Sequence, residues 1–461
     1  MMELDDNFDE SWVSNVQDNI SHSININENL IEDTILQPII EDNISLNCKK
    51  MLENFKKRGI QLQGIKDNDI IEKWEDIFRL NNSNKIYISN LIKSIKKFGY
   101  FTPRPIQCIT VGLINRGNDL VAQAVAGNGK TAAFVIGALT RIELDLYKPQ
   151  ILILSPTHEL TDQTSEIVKN LTLHTGLIIH TYRGGLRFQL RKNNVPQIIV
   201  ACPGKLEDLI NRNLIDLNYL KTLILDEGDE LLKRGFKDQV KKIIESIIDS
   251  VQICMFSATF SKNILEMCSK IMHNPAYVIL PDDQVMTQLV SQWYINVDNS
   301  ENKLEMLINI IKSNIEKNII IFFNLCSKLI MVSNELTKLN MKHYAIHGRL
   351  NTEVRLNQLN EFISSSFKKN TELENTKSNI LLASDLAARG LDIQHVTLII
   401  NFDVPTSIET YIHRIGRAGR GDTLGNALTM VISEEDKNKL KYIVQIHSMP
   451  IKLLKNFNFK N

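Results

Sequence analysis

A glycine-rich segment in the first third of the chain has the residue types needed to hold phosphate groups. It reads Ala124-Val125-Ala126-Gly127-Asn128-Gly129-Lys130-Thr131 and directly follows a short apolar run. Loop N–H groups and the N-terminus of the next helix would face the phosphates, Lys130 would reach their outer oxygens, and the Thr131 hydroxyl could join a Mg²⁺ shell. The pattern predicts a nucleotide site, and the alternative is a glycine-rich turn with an incidental lysine.

Two acids, Asp226 and Glu227, follow the apolar run Leu223–Leu225 farther along the chain. Asp226 could bind Mg²⁺ through water, and Glu227 could orient or deprotonate an attacking water. An acidic pair after a strand is more often a helix N-cap. In combination with the phosphate loop, however, the pair favours a site that hydrolyses a nucleotide.

Three arginines, Arg414, Arg417 and Arg420, recur at three-residue spacing near the end of the chain. On one face of a helix they would repel each other unless an anion lay opposite them. They could act as arginine fingers that reach a γ-phosphate across a cleft between two domains. A solvated basic patch is the alternative.

Short apolar runs that alternate with amphipathic stretches must position these side chains. Such runs indicate buried parallel strands alternating with helices, so we predict an α/β protein with two parallel-sheet domains. The first series is Asp119–Ala124, Ile151–Ser155, Ile198–Ala201, Thr222–Leu225 and Ile253–Ser257, and the second is Asn318–Phe323, His343–Ile346, Ile380–Ser384, Leu398–Phe402 and Ala427–Val431.

Changes of composition predict the domain boundaries. We expect a helical lead-in because apolar residues occur at helical spacing before Gly99, and a surface insertion at 364–379, which is rich in Ser, Lys, Asn and Glu. The predicted segments are an acidic, disordered tail (1–48), the lead-in (49–98), the first domain (99–281), a linker (282–300), the second domain (301–445) and a C-terminal tail (446–461).

Charge is unevenly distributed along the 461 residues. The chain has 53 basic and 53 acidic residues, but residues 1–48 contain eleven acids and no Lys or Arg. The remainder is therefore basic and could attract a polyanion, although a solvated basic face is common. We hypothesise that the acidic tail shields a basic cleft of the same chain.

The length and the cysteine pattern exclude several protein classes. A chain of 461 residues is too long for a single small binding module. Its six cysteines form no CxxC pair, which argues against a zinc site or a disulfide framework. Neither a secretory signal nor a long uncharged apolar run is present, so we expect a nuclear or cytoplasmic protein without a membrane span.

Together, these motifs resemble those of the DEAD-box RNA helicases of superfamily two, from Gly99 to near Met449. The resemblance implies two RecA-like domains joined by a flexible linker, with ATP and Mg²⁺ as cofactors. It also implies RNA as the main partner, further protein partners and a monomeric state. Within the family, the run Arg234–Gln239 and the compact C-terminus look like the translation-initiation and exon-junction group, whereas the lead-in at Gly59–Gly64 and the flanks also suit ribosome-biogenesis members.

The resemblance assigns roles around the nucleotide. Gln107 matches the glutamine that pairs with adenine, and Trp74 or Phe78 would supply the aromatic ring that stacks on it. Asp385 matches a residue that approaches the ribose. Arg417 and Arg420 match the arginine fingers.

A second set of residues would couple hydrolysis to strand separation. Asp226-Glu227-Gly228-Asp229 takes the place of the Asp-Glu-Ala-Asp box, with glycine where the family has alanine. In the family, the last Asp couples to a Ser-Ala-Thr motif, which matches Ser257 to Thr259 here. His413 is assigned to the same group.

Several residues match the family's RNA contacts, while others depart from them. The implied contacts are Pro156, Thr157, Gly184, Gly185, Pro203, Gly204, Lys205 and Arg355. His158 and Lys205 replace arginines, Cys202 replaces a threonine, and Thr352 replaces a common glutamine. Lysine loses the bidentate fork of arginine and neutral histidine loses its charge, so RNA affinity should change more than ATP hydrolysis.

We therefore predict an ATP-dependent RNA helicase that grips the sugar-phosphate backbone and separates strands locally or remodels ribonucleoproteins. The competing hypothesis is a slow-turnover, ATP-dependent RNA clamp that recruits partners through its acidic tail. A DNA helicase is a further alternative, which the response to DNA and RNA would distinguish.

Overall fold

The computed structural model of the chain describes thirteen stretches, which carry two parallel sheets with their helices. They are residues 61–80, 84–123, 129–185, 195–232, 235–248, 250–279, 290–314, 317–367, 379–388, 393, 396–418, 424–446 and 451–454. The acidic segment 1–48 lies outside these residues, as does most of the predicted insertion, 368–378.

The first sheet has eight strands in the order β1-β8-β2-β7-β6-β3-β5-β4. Only β1 is antiparallel to its neighbour, β8. The strands are β1 (Gln61–Gln63), β2 (Leu120–Gln123), β3 (Ile151–Leu154), β4 (Ile179–Tyr182), β5 (Ile198–Ala201), β6 (Thr222–Asp226), β7 (Gln252–Ser257) and β8 (Ala276–Ile279). Every residue of β2, β3, β5, β6 and β7 is buried, as expected for a parallel sheet with helices on both faces.

Nine α-helices accompany this sheet within the described residues. Amphipathic sequences form most of them, and side-chain caps at Asn84, Thr157 and Ser261 satisfy N-terminal N–H groups. The helices are α1 (Ile77–Leu80), α2 (Lys85–Lys97), α3 (Pro105–Arg116), α4 (Lys130–Leu139), α5 (His158–Leu171), α6 (Pro203–Asn211), α7 (Gly228–Leu231), α8 (Lys237–Glu245) and α9 (Lys262–Ile271).

The second sheet has seven parallel strands in the order β11-β12-β10-β13-β14-β9-β15. Its strands are β9 (Val290–Asn296), β10 (Asn318–Phe323), β11 (Tyr344–Ile346), β12 (Asn379–Ser384), β13 (Leu398–Asn401), β14 (Gly425–Val431) and β15 (Ile451–Leu453). Its helices are α10 (Ser300–Lys312), α11 (Cys326–Lys338), α12 (Thr352–Phe367), α13 (Asp385–Ala388), α14 (Ile408–Ile415) and α15 (Glu434–Ile446). The prediction of two parallel-sheet α/β domains is therefore confirmed.

The predicted lead-in is part of the first domain rather than a separate helical segment. Strand β1 pairs with β8 at the edge of the sheet, and Trp74, Ile77 and Leu91 are fully buried in the core of that domain. The strand is only three residues long and polar at both ends, so its sequence carried no strand pattern. A boundary at Gly99 would cut through one hydrophobic core.

The predicted linker and C-terminal tail also contain strands of the second sheet. Strand β9 lies between β14 and β15, although residues 290–296 belong to the predicted linker and residues 451–453 to the predicted tail. The polar residues of β9 gave no strand pattern in the sequence. They are tolerated in the sheet because residues far along the chain satisfy their hydrogen bonds. Gln292 accepts a hydrogen bond from the Tyr411 hydroxyl, and Trp293 donates one to Asn426.

The carboxyl ends of neighbouring strands bring the predicted motifs together. Lys130 lies beyond β2, Asp226 ends β6, and Ser257 ends β7, which lies between those two strands. Ligands of open α/β sheets bind at this edge. None of the helices in the described stretches combines the length and the hydropathy that a bilayer-spanning helix requires.

Candidate functional site

A buried lysine and a buried glutamate face each other at the carboxyl edge of the first sheet. Lys130 is the first residue of α4, and its Nζ lies 3.5 Å from Oε1 of Glu227. Gly129 precedes the helix with a φ of +82°, and a Cβ there would lie 2.5 Å from Nε2 of Gln107. Only glycine therefore allows Lys130 to start the helix so close to α3.

Glu227 occupies a strained backbone conformation between β6 and α7. Its φ is +52° and its ψ is 53°, in the left-handed region, which non-glycine residues enter at a cost. Asp226 and Asp229 flank it in the box turn, which we define as residues Asp226–Asp229. A strained residue in a cluster of buried acids is typical of a functional site.

The pKa values of Asp226 and Glu227, two of the three acids of the box turn, are shifted in opposite directions. Burial raises the pKa of Asp226, and the neighbouring charge of Glu227 raises it further. Burial also opposes ionisation of Glu227, but the charges of Lys130 and His413 outweigh it and lower its pKa. Glu227 is therefore the ionised acid nearest to Lys130, and Asp226 would gain most from an added cation.

Buried atoms near this ion pair lack hydrogen-bond partners. Within the described residues, neither Lys130 Nζ nor Glu227 Oε2 has one, although both atoms are inaccessible to solvent. Buried polar groups are normally hydrogen-bonded, so these two atoms indicate a place for a polar ligand. Phosphate oxygens would suit Lys130, and the carboxylate of Asp226 with the hydroxyl of Thr131 would suit Mg²⁺.

Asp229 connects the two domains. Its carboxylate accepts hydrogen bonds from Ser257 Oγ (2.7 Å) and Thr259 Oγ1 (3.3 Å) in the first domain, and contacts His413 Nε2 at 2.9 Å in the second. His413 Nδ1 lies 3.9 Å from Glu227 Oε2 on the other side of the ring. Glu227, Asp229 and His413 could together hold a metal ion by distance alone, but the hydrogen bonds to Asp229 account for its position without a metal.

The predicted arginines have different environments. Arg417 is buried and donates from Nε to the backbone oxygen of His413, close enough to Glu227 to favour its ionised form. Arg414 is also buried, and it donates from Nε and Nη2 to the two carboxylate oxygens of Asp385 at 2.5 and 2.8 Å. The anion opposite Arg414 is therefore a side chain of the protein.

The adenine-side residues form internal contacts. The Gln107 side chain accepts a hydrogen bond from the Arg104 N–H (2.7 Å) and donates one to the Gly129 carbonyl (3.2 Å), tying this element to the phosphate loop. Trp74 is fully buried, and its indole N–H donates to the Tyr100 carbonyl. Phe78 is only partly buried against the same core. Neither aromatic ring is established as the adenine-stacking residue, so that role stays a prediction.

A cleft of about 480 Å³ lies between the domains and contains most of the predicted RNA contacts. We call it the RNA cleft. It is lined by Pro156, Thr157, His158, Glu159, Gly184, Cys202, Gly204, Lys205, Phe236 and Gln239 from the first domain and by Gly348, Arg355 and Ala387 from the second. Pro203 begins helix α6 beside it, and Gly185 follows Gly184 with a φ of +81°.

Charged side chains in and beside the RNA cleft are already paired within the protein. Arg355 Nε lies 2.5 Å from Glu159 Oε1, which joins the two domains. Lys205 binds Asp208 at 2.9 Å. Thr157 accepts the Leu160 N–H as the cap of helix α5. A phosphate backbone would have to compete for these groups.

Four residues depart from the family pattern, and two of them, His158 and Cys202, have side chains that are neutral at pH 7. Burial lowers the pKa of His158, whose ring packs against Gly184, so the ring is neutral at pH 7. Cys202 contacts the Thr161 hydroxyl at 3.1 Å, and burial raises the pKa of its thiol to about 11. Lys205 forms an ion pair with Asp208, while Thr352 is the first residue of α12.

Some predicted site residues lie outside the described stretches. These are Ala124, Val125, Ala126, Gly127 and Asn128 of the phosphate loop, and Arg420. Thr131 is the second residue of α4. The roles of all these residues stay predictions.

Sequence reasoning missed several residues that support these sites. Asn324 and Asp403 hold Arg414, through Oδ1 of Asn324 (2.5 Å) and the backbone oxygen of Asp403 (2.9 Å). Both follow strands of the second sheet, so their position at the carboxyl edge was a usable signal. Phe236 and Gln239 line the RNA cleft, although the run that contains them had suggested only a subgroup.

The chain is similar to known helicases over most of its length. The family model of the DEAD/DEAH box helicases matches residues 104–267, and that of the helicase conserved C-terminal domain matches 302–422. The ATP-dependent RNA helicase eIF4A of Meyerozyma guilliermondii is 36% identical over 378 residues, 80% of this chain and 92% of the relative. The ATP-dependent RNA helicase FAL1 of Eremothecium gossypii is 36% identical over 368 residues, 79% of this chain and 89% of the relative.

A solved structure has the same two-domain fold. That of Dbp5 of S. cerevisiae, bound to RNA and ADP BeF3, gives a TM-score of 0.75 at 27% identity and covers 83% of this chain and 96% of that chain. The match includes both parallel-sheet domains, which confirms the expected RecA-like architecture.

Proposed function

The chain belongs to the DEAD-box family of ATP-dependent RNA helicases, and we propose that it hydrolyses ATP between its two sheets with Lys130, Asp226, Glu227, Arg417 and Arg420. The observation that carries this proposal is the buried pair of Lys130 and Glu227, whose outer polar atoms have no hydrogen-bond partner within the described residues. ATP phosphates would supply acceptors for the lysine. The attacking water would supply a donor for the glutamate.

Lys130 and Glu227 have complementary tasks in this mechanism. Lys130 binds the β- and γ-phosphate oxygens and draws charge away from the γ-phosphate as the bond to the leaving oxygen breaks. Glu227 is kept ionised by Lys130 and His413, so it can orient the water and accept its proton. The residues Ala124 to Asn128 would complete the phosphate loop, Gln107 would read adenine, and Asp385 would approach the ribose.

Asp226 and Thr131 would hold Mg²⁺. The bound ion would neutralise phosphate charge during hydrolysis. Asp226 is suited to the task because burial and Glu227 raise its pKa, so a nearby cation would stabilise its ionised form.

Asp229, Ser257, Thr259 and His413 would couple the nucleotide to closure of the domains. Asp229 contacts both domains, and Arg417 binds the backbone of His413, so a movement of α14 would shift the finger and the coupling residue together. Closure therefore places Arg417 at the γ-phosphate only when Asp229 meets His413. Arg420 would act on the same phosphate.

RNA would bind in the RNA cleft through its sugar-phosphate backbone. Gly184, Gly185, Gly204 and the start of helix α6 at Pro203 offer close approach to backbone N–H groups. Thr157, Lys205 and Arg355 would add side-chain contacts, with Pro156 shaping the wall. Recognition of this kind leaves the base sequence largely unread.

We also propose that the protein acts as a monomer in the nucleus or cytoplasm and takes its RNA target from protein partners. Free cysteines at positions 108, 202, 254 and 268 are buried, and burial raises the pKa of each thiol. Protonated, buried thiols are compatible with a reducing compartment.

The test is steady-state ATP hydrolysis, with and without short unstructured RNA, followed by displacement of a short RNA strand from a duplex. We expect RNA to stimulate hydrolysis in the wild type, and Lys130→Ala to abolish both activities. Equal stimulation by DNA would contradict RNA selectivity. Joint binding of ATP and RNA without stimulated hydrolysis would replace the helicase mechanism with the slow-turnover clamp.

A further inference from the structure

Gly228 stands at the centre of the box turn, between Glu227 and Asp229, and has no room for a side chain. A Cβ on this residue would lie 2.4 Å from Cγ and 2.8 Å from Sδ of Met255. Real Cβ atoms essentially never approach other heavy atoms this closely. The φ of Gly228 is not in the left-handed region, so the contact with Met255 alone excludes a larger residue.

Met255 cannot easily withdraw from this contact. It lies on β7, paired with Leu225 of β6, and its side chain is fully buried. Its sulfur touches the thiol of Cys268 on helix α9, with 3.4 Å between the two sulfur atoms. The methionine therefore fills the space between the box turn and α9, and both of its sides are occupied.

The residues on both sides of Gly228 belong to the proposed hydrolysis site. Glu227, on one side of Gly228, faces Lys130 at 3.5 Å. Asp229, on the other side, binds Ser257, which lies two residues after Met255 on the same strand. A displacement of the box turn away from β7 would therefore move Glu227 and lengthen the bond between Asp229 and Ser257.

We propose that Gly228 and Met255 form a matched pair that positions Glu227 for water activation, and that Met255 is a positioning residue of this enzyme. The inference rests on the proposed hydrolysis by Glu227 and adds a residue to it. This chain has glycine at position 228, where related helicases carry alanine. We expect Gly228→Ala to impair this enzyme, because the added Cβ would clash with Met255. On helix propensity alone, alanine would be the better choice at a helical position.

The experiment compares Gly228→Ala, Met255→Ala and the double variant by RNA-stimulated ATP hydrolysis, ATP affinity and thermal unfolding. Wild-type stimulation is measured first, because its absence would refute the proposed function and not this pair. We expect Gly228→Ala to lower kcat about 10- to 100-fold, since a displacement of about 1 Å can cost that much. ATP affinity should change far less than kcat.

The double variant separates positioning from stability. Met255→Ala removes the atoms that a Cβ at position 228 would meet, but it also leaves a cavity and should lower the Tm. We expect the double variant to regain most of the lost kcat while it unfolds at a lower temperature than the wild type. A merely structural role would make kcat follow the Tm downward instead.

Gly137→Ala is the matched control. A Cβ at Gly137 would lie 2.8 Å from Cδ1 and 2.9 Å from Cβ of Ile114, a comparable clash in the same domain. It should lower the Tm without the loss of kcat per folded molecule.

Three outcomes would overturn the proposal: a fully active Gly228→Ala variant, an inactive variant that Met255→Ala does not rescue, or an equal loss of kcat in Gly137→Ala. If Gly228→Ala does not fold, Cys268→Ala is added to it, which gives Met255 space to retreat. An inactive folded protein in that background would also refute the pair.

Discussion

The proposed ATP site and the RNA cleft both contain ion pairs, but they differ in how completely the charged groups are hydrogen-bonded. At the ATP site, Lys130 Nζ and Glu227 Oε2 are buried without hydrogen-bond partners within the described residues. In the RNA cleft, Arg355 is paired with Glu159 and Lys205 with Asp208. ATP would thus meet an ion pair whose hydrogen-bonding capacity is unfilled, whereas RNA must displace the hydrogen-bonded partners of Arg355 and Lys205.

This difference predicts the relative affinity and salt sensitivity of ATP and RNA binding. Preorganised groups with unfilled hydrogen-bonding capacity favour the ligand at little reorganisation cost. Groups held in ion pairs contribute only the difference between the internal partner and the phosphate. RNA binding should therefore be the weaker and more salt-sensitive of the two. The neutral side chain of His158 should lower both the RNA affinity and the salt slope, because it removes one cationic phosphate contact.

The sharpest way to break this comparison is to neutralise the acid of the ATP site. Glu227→Gln should lower RNA-stimulated kcat by about 100- to 10,000-fold, because general-base catalysis contributes on that order. RNA affinity should be nearly unchanged, since Glu227 does not line the RNA cleft. Steady-state hydrolysis and RNA-binding titrations measure the two effects, and retained hydrolysis would remove Glu227 from the mechanism.

The interdomain contact should have the next largest effect. His413→Ala leaves the buried Asp229 without its partner from the second domain, which costs about 1–3 kcal/mol, equivalent to about 5- to 150-fold in stimulated hydrolysis. The comparison variant is His413→Gln, whose amide N–H can take the place of Nε2. Rescue by glutamine would support the hydrogen bond, and an equal defect in both variants would contradict it.

Restoring a positive charge in the RNA cleft should have a smaller effect. His158→Arg should tighten RNA binding by about tenfold, the equivalent of one charge-assisted hydrogen bond, and steepen the salt slope by about 1. Ser269→Arg adds the same charge on helix α9, at an exposed position outside the cleft. If both variants gain equally, the effect is one of net charge, and the RNA cleft assignment fails for this residue.

The smallest expected effect is a dependence on pH. Burial lowers the pKa of His158, so the ring is neutral at pH 7 and gains a charge only at acidic pH. Between pH 7.5 and 5.5, RNA affinity of the wild type should rise by about two- to fivefold relative to His158→Asn. A parallel response of the two proteins would exclude this histidine as its source.

Protonation of His158 should lower the free energy of unfolding, although it should raise the RNA affinity. The folded-state pKa of His158 lies below the unfolded value of about 6.5, so below that pH the unfolded chain binds the proton more tightly. The contribution of a neutral His158 to stability is therefore complete above pH 6.5 and lost as the pH falls. Thermal unfolding of the wild type and His158→Asn at both pH values measures it.

Much of the fold and the ATP site could be predicted from the sequence. Buried parallel strands are continuous apolar runs, so Ile198–Ala201 and Asn318–Phe323 match the observed strands β5 and β10 residue for residue. The motif residues Lys130, Asp226 and Ser257 follow or end such strands. Their proximity therefore follows from the edge that the strands share.

Short and polar strands could not be predicted in the same way. Strand β1 has three residues with a single apolar side chain, and β9 contains Gln292 and Trp293, whose polar atoms are satisfied by residues more than a hundred positions away. The local pattern of apolar and polar residues does not indicate such distant hydrogen-bond partners. For this reason, the predicted linker and lead-in hid strands of the two sheets.

The sequence by itself determined the chemistry of this protein: which acids, lysine and arginines are present, and which strand ends carry them. Only the tertiary structure decided how these groups are balanced, because burial and distant neighbours set their partners and charge states. It paired Arg414 with Asp385, placed His413 against Asp229, and set Met255 against Gly228. These contacts join residues far apart in the chain, and their energies depend on distances of a few ångströms that no local motif encodes.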